Sequence, residues 1–184
     1  MASAPVPELV VRPIGPADRT LLLEGFERLS DRTRYLRFFT PLPELPPGEL
    51  RFLTEPDGID HYALGAAVRR RDGSLRGLGV ARYVRAHDDP RVGHATVTVV
   101  DDAQRHGLGS HLLRGLAYAA GLRGIDRFRF TVLPENRPVR KLLTSQRVPL
   151  LVRNGLLVGE ASVVRVARIP TPERWQPLLE REAG

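Results

Sequence analysis

Over one short stretch the chain changes character twice. Val97-Thr-Val-Val100 has the β-branched pattern of a strand, Asp101-Asp-Ala-Gln104-Arg-His-Gly107-Leu-Gly109-Ser110 carries two glycines, and Leu108, Leu112, Leu113, Leu116 and Ala120 then recur at helical spacing. A strand that passes through a glycine turn into a helix limits both the fold and the ligand. The first N–H groups of a helix have no internal partner and lie at its positive end, and glycines let a ligand approach that backbone closely. The segment therefore asks for an anion. It is not a nucleotide P-loop, which needs Gly-Lys-Ser/Thr, and it is not a dinucleotide fingerprint, which needs glycine where this chain has Leu112.

The flanks extend the pattern. Residues 8–14 read as an opening strand; after Pro16, Leu21, Leu22, Phe26 and Leu29 mark a helix. Ser30-Asp31 caps a second helix whose Tyr35, Leu36, Phe38 and Phe39 are expected in the core, with Pro41 as its stop. The Pro-rich stretch Pro41-Leu-Pro-Glu-Leu-Pro-Pro47 is too short for a domain linker. Residues 61–70, 77–85 and 93–100 read as an antiparallel meander joined through Asp72-Gly73 and His87-Asp-Asp-Pro90. Phe128, Phe130 and Val132 alternate as a half-buried strand, Asn136 caps a short helix to about Gln146, and residues 149–153 and 161–169 read as closing strands. Trp175, Leu178 and Leu179 are expected to form a docking turn. Strands and helices alternating in this way give an α/β or α+β layered fold, read as a single domain over 1–184.

Composition narrows the chemistry. With no cysteine, disulfides, thiolate zinc sites and a cysteine nucleophile are excluded, and a reducing, cytoplasmic setting is expected. The N-terminus lacks a basic segment followed by an apolar one, so secretion and membrane insertion are not expected. The net charge of +7, nearly all from arginine, fits a polyanion or a phosphorylated small molecule, although scattered surface charge would give the same sum. His106 and His111 point to different helix faces, so no metal site is expected.

Gln104-Arg-His-Gly107-Leu-Gly109, with the strand before it, the helix after it and Val132-Leu-Pro-Glu-Asn136 downstream, resembles motif A of the GNAT superfamily of acyl-CoA-dependent N-acetyltransferases. Arg12-Pro-Ile14, Arg34-Tyr-Leu-Arg-Phe-Phe39, Asp60-His61 and Gly79-Val-Ala-Arg-Tyr-Val84 extend the resemblance to the GNAT domain of bacterial protein lysine acetyltransferases. The resemblance implies a mixed, mostly antiparallel sheet flanked by helices, with a splayed central strand pair. It implies acetyl-CoA as cosubstrate and an amine acceptor, with a protein lysine as one candidate. Val97, Thr98 and Val99 would pair with the pantetheine arm, while Gln104 and the backbone of Arg105, His106, Gly107, Leu108, Gly109 and Ser110 would hold the pyrophosphate. Asn136 would sit near the thioester, unless it serves only as a helix cap, and Arg137, Arg140 and Lys141 would reach the adenosine phosphates.

Two departures stand out. The related lysine acetyltransferases carry a glutamate base at the position of His94, and a tyrosine acid after the helix capped by Asn136, where this chain reads Leu142-Leu-Thr-Ser-Gln-Arg-Val-Pro149. An imidazole with a pKa of about 6.5 is a competent base at neutral pH, so His94 takes that role as the catalytic candidate, and Ser145 or water is left as proton donor. Direct attack by the amine is expected, since no cysteine or Gly-x-Ser-x-Gly elbow supplies a nucleophile. The same departures keep open a GNAT-like acyl-CoA-binding regulatory module. A basic nucleic-acid-binding protein is disfavoured, because it leaves the glycine turn unexplained. Self-association is left open.

Overall fold

The computed structural model describes residues 8–170 and 174–182; the amino-terminal segment read for targeting signals lies outside them. Seven strands form one sheet: β1 (Glu8–Pro13), β2 (His61–Arg69), β3 (Leu75–Arg85), β4 (Val92–Val99), β5 (Arg127–Val132), β6 (Leu151–Arg153) and β7 (Leu156–Ser162), in the order β1-β2-β3-β4-β5-β7-β6. Every neighbouring pair is antiparallel except β4 and β5. That parallel pair needs a crossover, supplied by α4 (Leu108–Gly121).

Leu108, Leu112, Leu113 and Leu116 of α4 are at most 1% exposed, so the helical spacing in the sequence becomes a buried stripe on β2, β3 and β4. The opposite face is covered by α1 (Arg19–Glu27), α2 (Asp31–Phe38) and α3 (Pro47–Thr54). A one-residue irregularity in β3 helps to serve both layers. Ala66 faces Gly79 but Ala67 faces Gly77, so Leu78 is an extra residue, and the two glycines turn to opposite faces. A Cβ on Gly77 would meet Leu21 of α1, and one on Gly79 would meet Leu112 of α4.

Four readings, one near residue 47 and three at the chain end, are corrected or refined. The stretch that starts at Pro41 leads into a helix, α3, with Pro47 in its first turn and Leu50 and Leu53 buried. Residues 161–169 are not a strand: β7 ends at Ser162, whose side chain accepts the Arg165 N–H and caps the single turn α6 (Val163–Val166). The closing hairpin turns at Asn154 and Gly155, both in the left-handed region. The Trp175 segment is the helix α7 (Gln176–Glu182), with Leu178 and Leu179 buried and Trp175 edge-on to His111.

Candidate active site

Strands β4 and β5 pair through three residues only, Val92↔Arg127, Gly93↔Phe128 and His94↔Arg129, and then diverge. Both strands continue beyond that point, so the sheet is open between residues 95–99 and 130–132. A cleft of about 1190 Å³ fills the gap and reaches both faces. Alternation along β4 sorts its walls: Val97 and Val99 face α4, where a Cβ on Gly109 would lie 3.8 and 3.7 Å from them, and His94, Thr96 and Thr98 face the α2 side.

At the α4 end the backbone carries the geometry. The first hydrogen bond within the helix runs from the His111 N–H to the Gly107 carbonyl, which leaves the N–H groups of residues 108–110 without helical acceptors. Gly107, at φ 84, makes the turn into the helix in a conformation that glycine adopts without strain, and Arg105 (φ 66) is also left-handed. The Gln104 amide donates to the Val99 carbonyl and to Asp101 Oδ1, both at 3.1 Å, so this side chain fastens the turn to the strand end. Val97, Thr98, Val99, Gln104, Arg105, Gly107, Leu108, Gly109 and Ser110 all border the cleft. His106 does not: its Nδ1 lies 2.8 Å from the Gln104 carbonyl and closes the turn from behind. Such a rim of free N–H groups and glycine backbone is suited to a pyrophosphate.

The β5 side is formed by α5 (Arg137–Ser145). Asn136 both caps it, accepting the Val139 N–H at 3.3 Å, and borders the cleft. Arg140 is turned away, donating to the Pro134 carbonyl at 2.6 Å; Arg137 and Lys141 are the cations of this helix that line the cleft. Ser145 donates to the Leu142 carbonyl within the helix and is not among the lining residues, so it is not placed to protonate a leaving thiolate.

At the narrow end stands His94, exposed on its strand face and level with Arg129. Burial against neighbouring groups, and then the Arg129 guanidinium, hold its pKa below the ordinary imidazole value, opposed by Asp88 and Glu160. Arg129 is itself fixed by Glu160 at 2.7 Å and Asp88 at 2.9 Å. The neutral ring is thus the dominant form at neutral pH, as proton acceptance requires.

Arg37, Phe39 and Glu49 also border the cleft, although the sequence pointed to none of them as site residues. The aromatics of α2 were expected in the core, yet that helix buries no residue fully; Phe39, its left-handed end, is 39% exposed. Only tertiary packing of α2 and α3 brings these residues to β4; Arg37 and Phe39 lie in the family-like stretch Arg34–Phe39, which does not by itself mark them as site residues. Among the described residues no cluster of His, Asp or Glu could hold a metal ion, and no helix is long and apolar enough to cross a membrane.

Comparison with known proteins agrees with this arrangement. The chain is 30% identical over 169 residues to the acetyltransferase Pat of Mycolicibacterium smegmatis, covering 87% of this chain but 47% of that protein. It is 31% identical over 134 residues to an acetyltransferase of Pseudomonas aeruginosa, covering 73% and 71% of the two chains. The chain thus spans about half the length of the first relative and nearly three quarters of the second. The solved GNAT domain of S. lividans PAT superposes with a TM-score of 0.75 at 29% identity, covering 83% of this chain and 89% of that one. The sequence profile of the acetyltransferase (GNAT) family matches residues 30–146, which take in the opened strand pair and the glycine turn, and the chain belongs to that family.

Proposed function

We propose that this chain transfers an acetyl group from acetyl-CoA to an amine by direct attack, with His94 as the base. The observation that carries the reading is the juxtaposition, along one cleft, of the backbone rim at residues 107–110 and the imidazole at the point where β4 and β5 part. In this reading the pyrophosphate lies on the helix start, and the pantetheine arm runs along residues 97–99 in place of a paired strand. The thioester then lies between β4 and β5, near Asn136.

An ammonium with a pKa of about 10.4 has no free lone pair, so the acceptor must first give up a proton. His94 takes it and passes it to water. The amine nitrogen attacks the thioester carbonyl carbon, the C–N bond forms, the C–S bond breaks, and the thiolate leaves with the electron pair. Water in the open cleft returns a proton to the sulfur, and the second nitrogen proton leaves through His94. Products are the acetylated amine, CoA thiol and one proton. A protein lysine is one acceptor that the resemblance to the GNAT domain of bacterial protein lysine acetyltransferases supports.

The second reading, an acyl-CoA-binding regulatory module, draws on His94 in place of the glutamate base and on Ser145 being turned away. Thiol release from acetyl-CoA with a panel of amines separates the two. Acceptor-dependent release supports the enzyme. Tight acetyl-CoA binding without release, together with release by His94→Glu, supports the module.

A further inference from the structure

The cleft has a side chamber. Beneath α1, a cavity of about 110 Å³ lies between Leu21, Leu22 and Phe26 of that helix, Leu53 of α3 and the sheet. It exists because the facing surfaces are cut back: Gly25 on α1, Gly65 and Ala67 on β2, and Gly77 on β3 all border it. A Cβ built on Gly25 meets no heavy atom within 4 Å. Protein interiors seldom leave voids larger than a water, and an apolar cavity of about 150 Å³ is enough to take up benzene.

Chamber and cleft share a wall, formed by Arg37, Phe38, Thr96 and Thr98. Two polar groups on that wall lack protein partners. Thr96 Oγ1 is buried with no hydrogen bond. Arg37 makes no hydrogen bond or ion pair among the described residues; its guanidinium only lies 4.9 Å from the centre of the Phe38 ring. The other cations nearby are committed, Arg12 to Asp18 at 2.6 and 2.9 Å, and Arg82 to His61 at 2.9 Å and the Leu53 carbonyl at 3.0 Å. Glu49 faces Arg37 and Arg82 without an ion pair to either. A guanidinium left without an ion pair on the wall shared by chamber and cleft marks a place for an anionic, hydrogen-bonding ligand.

We infer that this chamber receives the acceptor, and that the acceptor is a compact amine bearing a carboxylate and a small apolar side group, as an apolar α-amino acid does. The inference rests on the acetyl-transfer reading above and names its substrate class. The apolar group fills the chamber, the carboxylate meets Arg37, and the amine is left on the side of His94, two residues from Thr96 on the same strand face. A lysine side chain carries no anion beside its amine and would bring its ammonium towards the unpaired Arg37.

The test measures acetyl transfer and binding with alanine, valine, leucine, leucinamide and a lysine-containing peptide. The expected result is that leucine or valine is acetylated with kcat/KM at least tenfold above leucinamide, and that Arg37→Gln abolishes that preference. Gly25→Leu, which fills the chamber, lowers kcat/KM for leucine at least tenfold, spares alanine and leaves acetyl-CoA affinity unchanged. Equal use of leucine and leucinamide, preference for the lysine peptide, or indifference of leucine turnover to a folded Gly25→Leu overturns the inference while acetyl transfer stands. Calorimetric binding of leucine, without acetyl-CoA, is a readout that needs no turnover: binding weakened by both variants supports the chamber, and no binding to the wild type overturns it. Absence of both thiol release and acetyl-CoA binding instead brings down the underlying reading.

Discussion

The two ends of the cleft are built by different means. At the α4 end one continuous segment, from β4 through the glycine turn into the helix, presents backbone N–H groups, while its side chains either face the core, as Leu108 does, or brace the turn, as Gln104 and His106 do. At the other end side chains from α2, α3, β4 and β5 converge from remote parts of the sequence. A backbone cradle tolerates changes of residue as long as the turn holds, and so suits a cosubstrate whose diphosphate does not vary. A wall of side chains can be rewritten one residue at a time, and so suits the part of the reaction that gives a protein its own substrate.

The largest expected effect breaks the backbone end. Gly109→Glu puts a carboxylate beside the free N–H groups; losing two charge-assisted hydrogen bonds at about 1.5–3 kcal/mol each weakens acetyl-CoA binding about a thousandfold. Calorimetry on the folded variant checks it, and undiminished affinity would place the pyrophosphate elsewhere. Ser110→Ala, by contrast, is expected to change affinity by less than about threefold, because the N–H at that position is untouched.

At the other end one side chain should matter more. His94→Ala is expected to lower turnover about a hundredfold with acetyl-CoA affinity nearly unchanged. Because burial and Arg129 hold the imidazole pKa below its usual value of about 6.5, the rate should rise with pH along a limb centred below that value. Asp88→Asn removes an anion that favours the charged ring and should move the limb lower still. A pH–rate profile without an acid limb would remove His94 from the mechanism.

Away from the cleft lining, a buried histidine on β2 carries a stability signature. His61, stacked on Phe52 and accepting from Arg82, has a pKa pushed down to about 4, chiefly by burial and then by Arg82. Between that value and the ordinary value of about 6.5 the unfolded chain binds a proton that the folded chain refuses, so stability is full above the window and falls as pH drops through it. Melting followed from pH 7 to 4.5 should show a loss of several degrees that His61→Gln reduces. The smallest effect is Gly25→Ala: a helical glycine replaced without clash should gain about 0.5–1 kcal/mol, read as a higher melting temperature.

The contrast between the two ends also explains what could be read in advance. The glycine turn, α4 and the three-strand meander β2-β3-β4 were legible because each is written in consecutive residues with one period. The strand opening was an implication of family resemblance; here it is visible in the register, which stops at His94 and Arg129. The helix α3 was hidden by its prolines, although Pro46-Pro47 before Leu50 and Leu53 is a permissible helix start. The final hairpin carries its own signal, Asn154-Gly155, whose left-handed pair starts the last strand at Leu156 rather than at residue 161. The placing of Arg37, Glu49 and Thr96 on one side of the cleft is not written in any local pattern, since it depends on how α2 and α3 settle on the sheet.

The short seam between β4 and β5 has a consequence for how the molecule assembles. On one side of it, β1 is brought against β2 by the helical layer, and β2, β3 and β4 follow one another through tight turns; on the other, β5, β7 and β6 form their own antiparallel unit. Three residue pairs are all that join the two units along the sheet, so much of their cooperation must pass through the crossover helix. A molecule lying in the gap touches both units at once and stabilises the joined form over the parted one, so that cosubstrate binding and the unity of the fold are thermodynamically linked.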